Sequence, residues 1–166
     1  MSVRALTLAP EPVLRLEAKP VTRFTPQLRA LARDMIDTMY AYDGIGLAAP
    51  QVGESLQFFV ANITEQRGRE LVIANPVLES QAGRAEVVEG CLSLPKLWHR
   101  VKRSARITLS GQDLEGQPVR LDNVEGLLAI VLQHEVDHLL GRLFIDRLSW
   151  FQRRRLGLRA RGLACA

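Results

Sequence analysis

Gln133-His134-Glu135-Val136-Asp137-His138 lies inside an apolar run that ends at Gly141. On an α-helix, residues i and i+4 share a face, so both imidazoles can reach one metal ion while the glutamate beside the first addresses the water that ion carries. The pattern points to metal-assisted hydrolysis. Helical character has independent support: Asp122 followed by Glu125 resembles a capping box, Leu127, Leu128, Ile130, Val131 and Leu132 suit a helix, and Gly141 suits its C-terminal cap. The segment is too short and too charged at its end to cross a bilayer, and it reads as a core helix. Two of the chain's 3 histidines fall in this pairing, which favours ligands over incidental polar residues.

A catalytic metal needs three protein ligands and one open position. From Leu139 to Ala166 there is no histidine, no glutamate and one aspartate, Asp146. A distal glutamate ligand is therefore disfavoured. The extended pattern His-Glu-x-x-His-x-x-Gly-x-x-His also fails, because Gly141 is present but the last position is Phe144. The third ligand is left among Cys91, Cys165, His99 and an upstream carboxylate such as Glu89. Cys91 sits in Glu89-Gly90-Cys91-Leu92-Ser93-Leu94-Pro95, where a glycine permits close backbone approach, and is the better thiolate. Cys165 is the penultimate residue and reads as a free terminal thiol.

A further segment, Asp43-Gly44-Ile45-Gly46-Leu47-Ala48-Ala49-Pro50-Gln51-Val52-Gly53, follows an amphipathic helix and combines small residues with one amide side chain. It lacks the basic residue and following helix of a phosphate cradle, and reads instead as backbone brought close to a ligand.

With these three segments in view, the chain resembles the bacterial peptide deformylases. Their three motifs stand here in order as Gly44-Ile45-Gly46-Leu47-Ala48-Ala49-Pro50-Gln51, Glu89-Gly90-Cys91-Leu92-Ser93 and Gln133-His134-Glu135-Val136-Asp137-His138-Leu139. Leu14-Arg15, Lys19-Pro20-Val21 and Gly141-Arg142-Leu143-Phe144-Ile145-Asp146 extend the likeness to all but about the last twenty residues. The resemblance implies Cys91, His134 and His138 as metal ligands, with Glu135 as general acid/base. It implies one divalent metal, Fe²⁺ first, with Zn²⁺, Ni²⁺ or Co²⁺ compatible with the same mixed donors. The implied substrate is the N-formylmethionyl end of nascent polypeptides. Gln51, through its side-chain amide, and Leu92, through its backbone N–H, are implied as oxyanion donors. Ile45, Gly46, Val87, Glu89, Gly90, Leu127 and Val131, with the flank of His134, are implied to bind substrate, partly by strand addition. Glu89 is expected to pair with Arg103. Where many members carry a more polar stretch, this chain has Lys96-Leu97-Trp98-His99-Arg100.

Composition agrees with one domain over residues 1–166. Of 166 residues, 47% are hydrophobic and 24% charged, ordinary globular usage with room for a core. No repeat, signal peptide or membrane span is evident, and two cysteines give no disulfide framework; a cytoplasmic monomer is expected. Thr25 and Pro26 open a first helix with Leu28, Leu31, Met35 and Met39 on its apolar face. Strands are expected around Leu56–Asn62, Glu70–Ala74 and Ala85–Val88, with a hairpin over Arg106–Leu121 turning near Glu115-Gly116. The fold expected is α+β, antiparallel or mixed sheets around the central His-Glu-x-x-His helix, with one helix near each terminus. The net charge is +4, but six arginines and no acid lie from Arg147 onward, leaving about −2 on the rest. This basic tail or helix suits phosphate contacts with the ribosome.

Overall fold

In the computed structural model, which describes residues 2–64 and 66–158, helix α1 spans Pro26–Ala41. Thr25 caps it, its side chain accepting from the Leu28 N–H, and Pro26 fills a first-turn position whose N–H would have no helical partner. Leu28, Leu31, Met35 and Met39 form the buried face, at the spacing the sequence suggests.

Strands β1 (Gly46–Ala48), β2 (Phe58–Ala61), β3 (Leu71–Ala82), β4 (Ala85–Cys91), β5 (Leu94–Arg103), β6 (Arg106–Gln112) and β7 (Pro118–Glu125) follow. Five of them make an antiparallel sheet in the order β1-β2-β3-β6-β7, while β4 and β5 pair separately as a hairpin. Phe58 and Val60 of β2 join the core under α1; Phe59 and Ala61 join the core under a second long helix, α2 (Gly126–Leu139). A period of 2 thus explains why all four β2 residues are buried: the strand has a helix on each face.

Helix α2 carries the His-Glu-x-x-His motif, and from Ala129 to Leu139 only His134 falls outside its buried set. A helix apolar nearly all round must be enclosed. Here the enclosure is the five-stranded sheet together with the β4–β5 hairpin. Gln133 ties α2 to the β5–β6 turn: its Oε1 accepts from the Ser104 N–H at 2.9 Å and its Nε2 donates to the Ser104 carbonyl at 2.9 Å. Gly141 follows the last helical turn at φ +66°, the left-handed conformation expected of that cap.

Three expectations need correction. Asp122 and Glu125 do not form a capping box; both lie in β7, which runs directly into Gly126 at φ +65°, and Glu125 makes no side-chain cap. Strand β3 continues to Ala82, far past Ala74, because Asn75 at φ +49° and Pro76 sit at a shift of register that lets pairing with β6 resume at Val77. Strand β5 was not anticipated, since Pro95 and a mix of charged and bulky residues hide its alternation.

Beyond α2, a short 3-10 turn at Phe144–Arg147 buries Phe144 and Ile145 beneath the hairpin, and α3 (Trp150–Arg155), capped by Ser149, supplies the expected C-terminal helix. Arg147 does not belong with a free basic tail: its guanidinium binds Asp137 of α2 at 2.5 and 2.6 Å. Cys165, Arg159 and Arg161 lie outside the described residues. Among the described residues, no helix is long and apolar enough to cross a membrane.

Candidate active site

His134 and His138 face the hairpin from one side of α2, where β4 ends at Cys91. The three donor atoms converge within 4.8 Å of one another: Cys91 Sγ lies 3.2 Å from His138 Nε2, which lies 3.2 Å from His134 Nε2. His99 is elsewhere, a half-buried residue of β5 whose Nδ1 lies 3.1 Å from the Arg100 carbonyl oxygen.

The outer nitrogen of His134, Nδ1, lies 2.8 Å from Glu89 Oε2. A carboxylate there fixes the tautomer and leaves Nε2 to the cluster. Glu89 is therefore outside the ligand set, and its pairing with Arg103 is buried: Arg103 Nε and Nη2 donate to Glu89 at 2.7 and 2.8 Å, with the Arg103 side chain 0% exposed. Arg103 Nη1 also donates to Asp137, which Arg147 holds from its other side. Burial opposes ionisation of Glu89, but the hydrogen bonds and charges of Arg103 and His134 outweigh it and hold the carboxyl down at about 2.

This electrostatic setting suits a cation. Burial, with the nearby positive charges, drives the His138 pKa far down; burial opposes the charge on His134 as well, yet Cys91 and Glu89 lift that ring to about 10. Two Nε2 atoms at 3.2 Å beside a sulfur call for one positive charge among them, a proton or a metal ion. A tetrahedral ion at usual Zn–N and Zn–S lengths holds such donors roughly 3.3–3.6 Å apart, close to the 3.2 Å of the Cys91–His138 and His138–His134 pairs. Two imidazoles and a thiol are also the donors that borderline transition metals favour.

Glu135 lies next to this cluster, 3% exposed, and its Oε2 is buried with no hydrogen-bond partner. Burial is the main influence on it and pushes its pKa up to about 7, with His134 and Arg103 pulling down and Glu89 and Asp137 pushing up. Such a group can take and return a proton near neutrality. Gly46 of β1 makes room for it: a Cβ at Gly46 would stand 2.3 Å from Glu135 Oε1 and 3.0 Å from Val131 Cγ1. The glycine-rich segment thus owes part of its composition to the Glu135 side chain.

Gln51 closes the site from a 3-10 turn, Ala49–Val52. Its Oε1 accepts from the Ala48 N–H at 2.8 Å, while its Nε2 faces Ser93 Oγ at 3.3 Å and Cys91 Sγ at 3.6 Å. One end of the amide anchors the loop and the other is presented to the cluster. Leu92 lies in the two-residue turn joining β4 to β5, directly after Cys91.

These groups open onto a cavity of about 890 Å³. Ile45, Gly46, Val87, Glu89, Gly90, Leu127 and Val131 all line it, as do Gln51, Cys91, Leu92, His134 and Glu135. Ile130 lines it too, which the sequence reading missed. Its position was legible, because 127, 130, 131, 134 and 135 trace one helical stripe. The role of Asp137 was less so; an acid in an apolar helix asks for a buried partner, but nothing local says which.

Fold and site together define a class: α+β proteins in which a His-Glu-x-x-His helix meets a cysteine-bearing hairpin around a Cys-His-His donor set. Within it, the chain belongs to the polypeptide deformylase family, whose model matches residues 3–154. Members of this family remove the formyl group from nascent polypeptides. The peptide deformylase of Nitrosococcus oceani is 43% identical over 160 residues, covering 96% of this chain and 95% of its own. The crystal structure of a peptide deformylase from Legionella pneumophila superposes with a TM-score of 0.89 at 43% identity, covering 93% of this chain and 90% of that one. That of the Synechococcus elongatus enzyme, in complex with actinonin, gives 0.87 at 39%, covering 95% and 89%.

Proposed function

We propose that this chain hydrolyses the N-formyl group of formylmethionyl peptides with a single divalent ion held by Cys91, His134 and His138. The observation that carries the reading is the convergence of those three donors beside a buried carboxyl with an unpartnered oxygen. Bound there, the ion supplies Lewis acidity and brings the pKa of water down towards about 7. Fe²⁺ is the ion we assign, with Cys91 correspondingly sensitive to oxygen.

The chain's own residues do the rest. Glu135 accepts the proton of the attacking water and delivers it to the departing amine as the formyl C–N bond breaks, leaving formate and a free N-terminus. The Gln51 amide and the Leu92 N–H donate to the oxygen on which charge develops. Glu89, fixed by Arg103, holds His134 in orientation. Ile45, Val87, Leu127 and Val131 surround the methionine side chain, while Gly46 and Gly90 offer backbone to the peptide.

The test is formate release from formyl-Met-Ala by anaerobically prepared protein, with metal content measured alongside. Glu135→Ala should retain metal and lose roughly 10²–10⁴-fold in turnover, whereas Cys91→Ser should lose metal. Metal-replete wild type that releases no formate would defeat the reading. Activity indifferent to anaerobic iron loading would remove Fe²⁺ alone.

Residues 1–166 are taken as one catalytic domain, working as a cytoplasmic monomer. Its basic end is assigned to the ribosome surface. Arg153, Arg154 and Arg155 stand on α3 beside exposed Trp150 and Phe151, with Arg154 over the Trp150 ring at 5.3 Å. Removing Trp150 to Ala166 should abolish low-salt ribosome cosedimentation; unchanged sedimentation would dismiss the contact.

A further inference from the structure

Of the twelve large apolar side chains that are exposed among the described residues, six border the 890 Å³ cavity: Ile45 and Leu127, assigned above to the methionine side chain, and four more, Leu8, Tyr42, Val88 and Trp98. They come from separate parts of the chain, the N-terminal segment, the end of α1, the approach to β1, β4, β5 and α2. Their gathering is therefore no by-product of one amphipathic element. Isolated exposed apolar residues are ordinary, whereas a contiguous collar around a cleft marks a binding surface.

The largest member is Trp98, 67% exposed. It is held by a specific device. Cys91 pairs with Leu94 and Gly90 with Trp98, so Pro95, Lys96 and Leu97 bulge out of the hairpin, with Lys96 at φ +65°. Trp98 then lies across Gly90, where a Cβ would come within 2.7 Å of the indole carbons. The ring is braced by backbone on one side and open to the cavity mouth. A cavity of this volume sits at the upper end of the roughly 300–1,000 Å³ usual for small-ligand sites. It exceeds what a formyl group and one methionine side chain fill.

We infer that this collar, with Trp98 as its main determinant, selects formylmethionyl chains carrying bulky apolar or aromatic side chains in the residues just after methionine. The inference rests on the deformylase reading and names the substrates that reading prefers. The occupant is the continuation of the same peptide, because the collar is continuous with the cleft that takes its formyl end. Of the charged residues that line the cavity, Glu89 is paired with Arg103 and Glu135 belongs to the catalytic cluster, which leaves Lys96 and Asp43, one of each sign, and little net charge to favour acidic or basic residues.

The experiment compares kcat/KM for formyl-Met-Phe-Phe, formyl-Met-Ala-Ala and formyl-Met-Glu-Glu, each ratio taken within one enzyme. Wild type should favour the aromatic peptide over the alanine peptide by about 3- to 10-fold, the size expected of an aromatic contact at a partly exposed site. Trp98→Ala should bring that ratio near unity and Trp98→Phe should keep most of it. Phe151→Ala, at an exposed aromatic that does not line the cavity, should leave it as in wild type. Equal ratios in wild type and Trp98→Ala overturn the inference alone, as does a dimer in sedimentation that Trp98→Ala dissolves without changing the ratio. No formate from any of the three peptides overturns the deformylase reading and the inference with it.

Discussion

At the scale of single residues, the site depends on what Gly46 lacks as much as on what Glu135 has. The Glu135 carboxyl occupies the space where a Gly46 side chain would stand, so the two positions form one unit across β1 and α2. Gly46→Ala must displace Glu135 or pull β1 back, since 2.3 Å is far inside contact distance. A displacement of about 1 Å at a catalytic group costs on the order of 10²-fold. We expect Gly46→Ala to lower kcat by about that factor while metal content stays at one per chain; wild-type turnover would disprove the coupling. Gln51 shows a similar economy, with its carbonyl oxygen anchoring the loop and its amide nitrogen facing the cluster.

At the scale of elements, α2 is positioned by its ends and its neighbours more than by its own caps. Its N-terminus grows out of β7 without a side-chain cap, and its C-terminus is closed by Gly141. Two constraints meet at that glycine. Its φ is +66°, and a Cβ there would lie 2.7 Å from the Arg15 backbone carbonyl. Because the obstacle is backbone, it cannot rotate away. Gly141→Ala should therefore destabilise by more than the ~1 kcal/mol of an ordinary left-handed glycine, lowering the thermal midpoint by several degrees, and a shift under 2 °C would contradict this. His138 lies three residues earlier, so metal affinity should fall with it.

At the scale of the whole molecule, a chain of charge, buried except at its Arg147 end, joins four elements of the fold. Glu89 from β4, Arg103 from β5, Asp137 from α2 and Arg147 from the turn after it alternate in sign. Arg103→Ala leaves Glu89 with His134 alone and deprives Asp137 of one of its two partners, a defect worth about 3–5 kcal/mol. Within this chain, Glu89 makes stability depend on acid pH. The Glu89 pKa falls from 4.5 to about 2 on folding, so its stabilisation is fully present above 4.5 and is lost as pH drops through 2. That shift corresponds to on the order of 3 kcal/mol. Urea titrations of metal-stripped protein between pH 6 and 2 should show this loss in wild type, and Glu89→Gln should flatten it. A profile unaffected by the substitution would place the acid sensitivity elsewhere.

The sequence by itself determined the chemistry and the local elements that carry it. The i, i+4 histidines, the cap at Thr25, the apolar run of β2 and the glycine after α2 are short-range patterns, written in neighbouring residues and legible without the fold. Motif resemblance extended this to Cys91 and Gln51, which lie far from the helix in sequence. Tertiary structure alone decided the rest: that Asn75 and Pro76 carry β3 onward, that β5 exists at all, that Glu89 is buried between Arg103 and His134, and that Arg147 belongs to Asp137 rather than to a basic tail. Each depends on which distant group fills a given space, and a charge or a proline carries no local sign of the partner that will compensate it. Burial also raises Glu135 towards neutrality, because desolvation is a property of the enclosing fold and not of the glutamate.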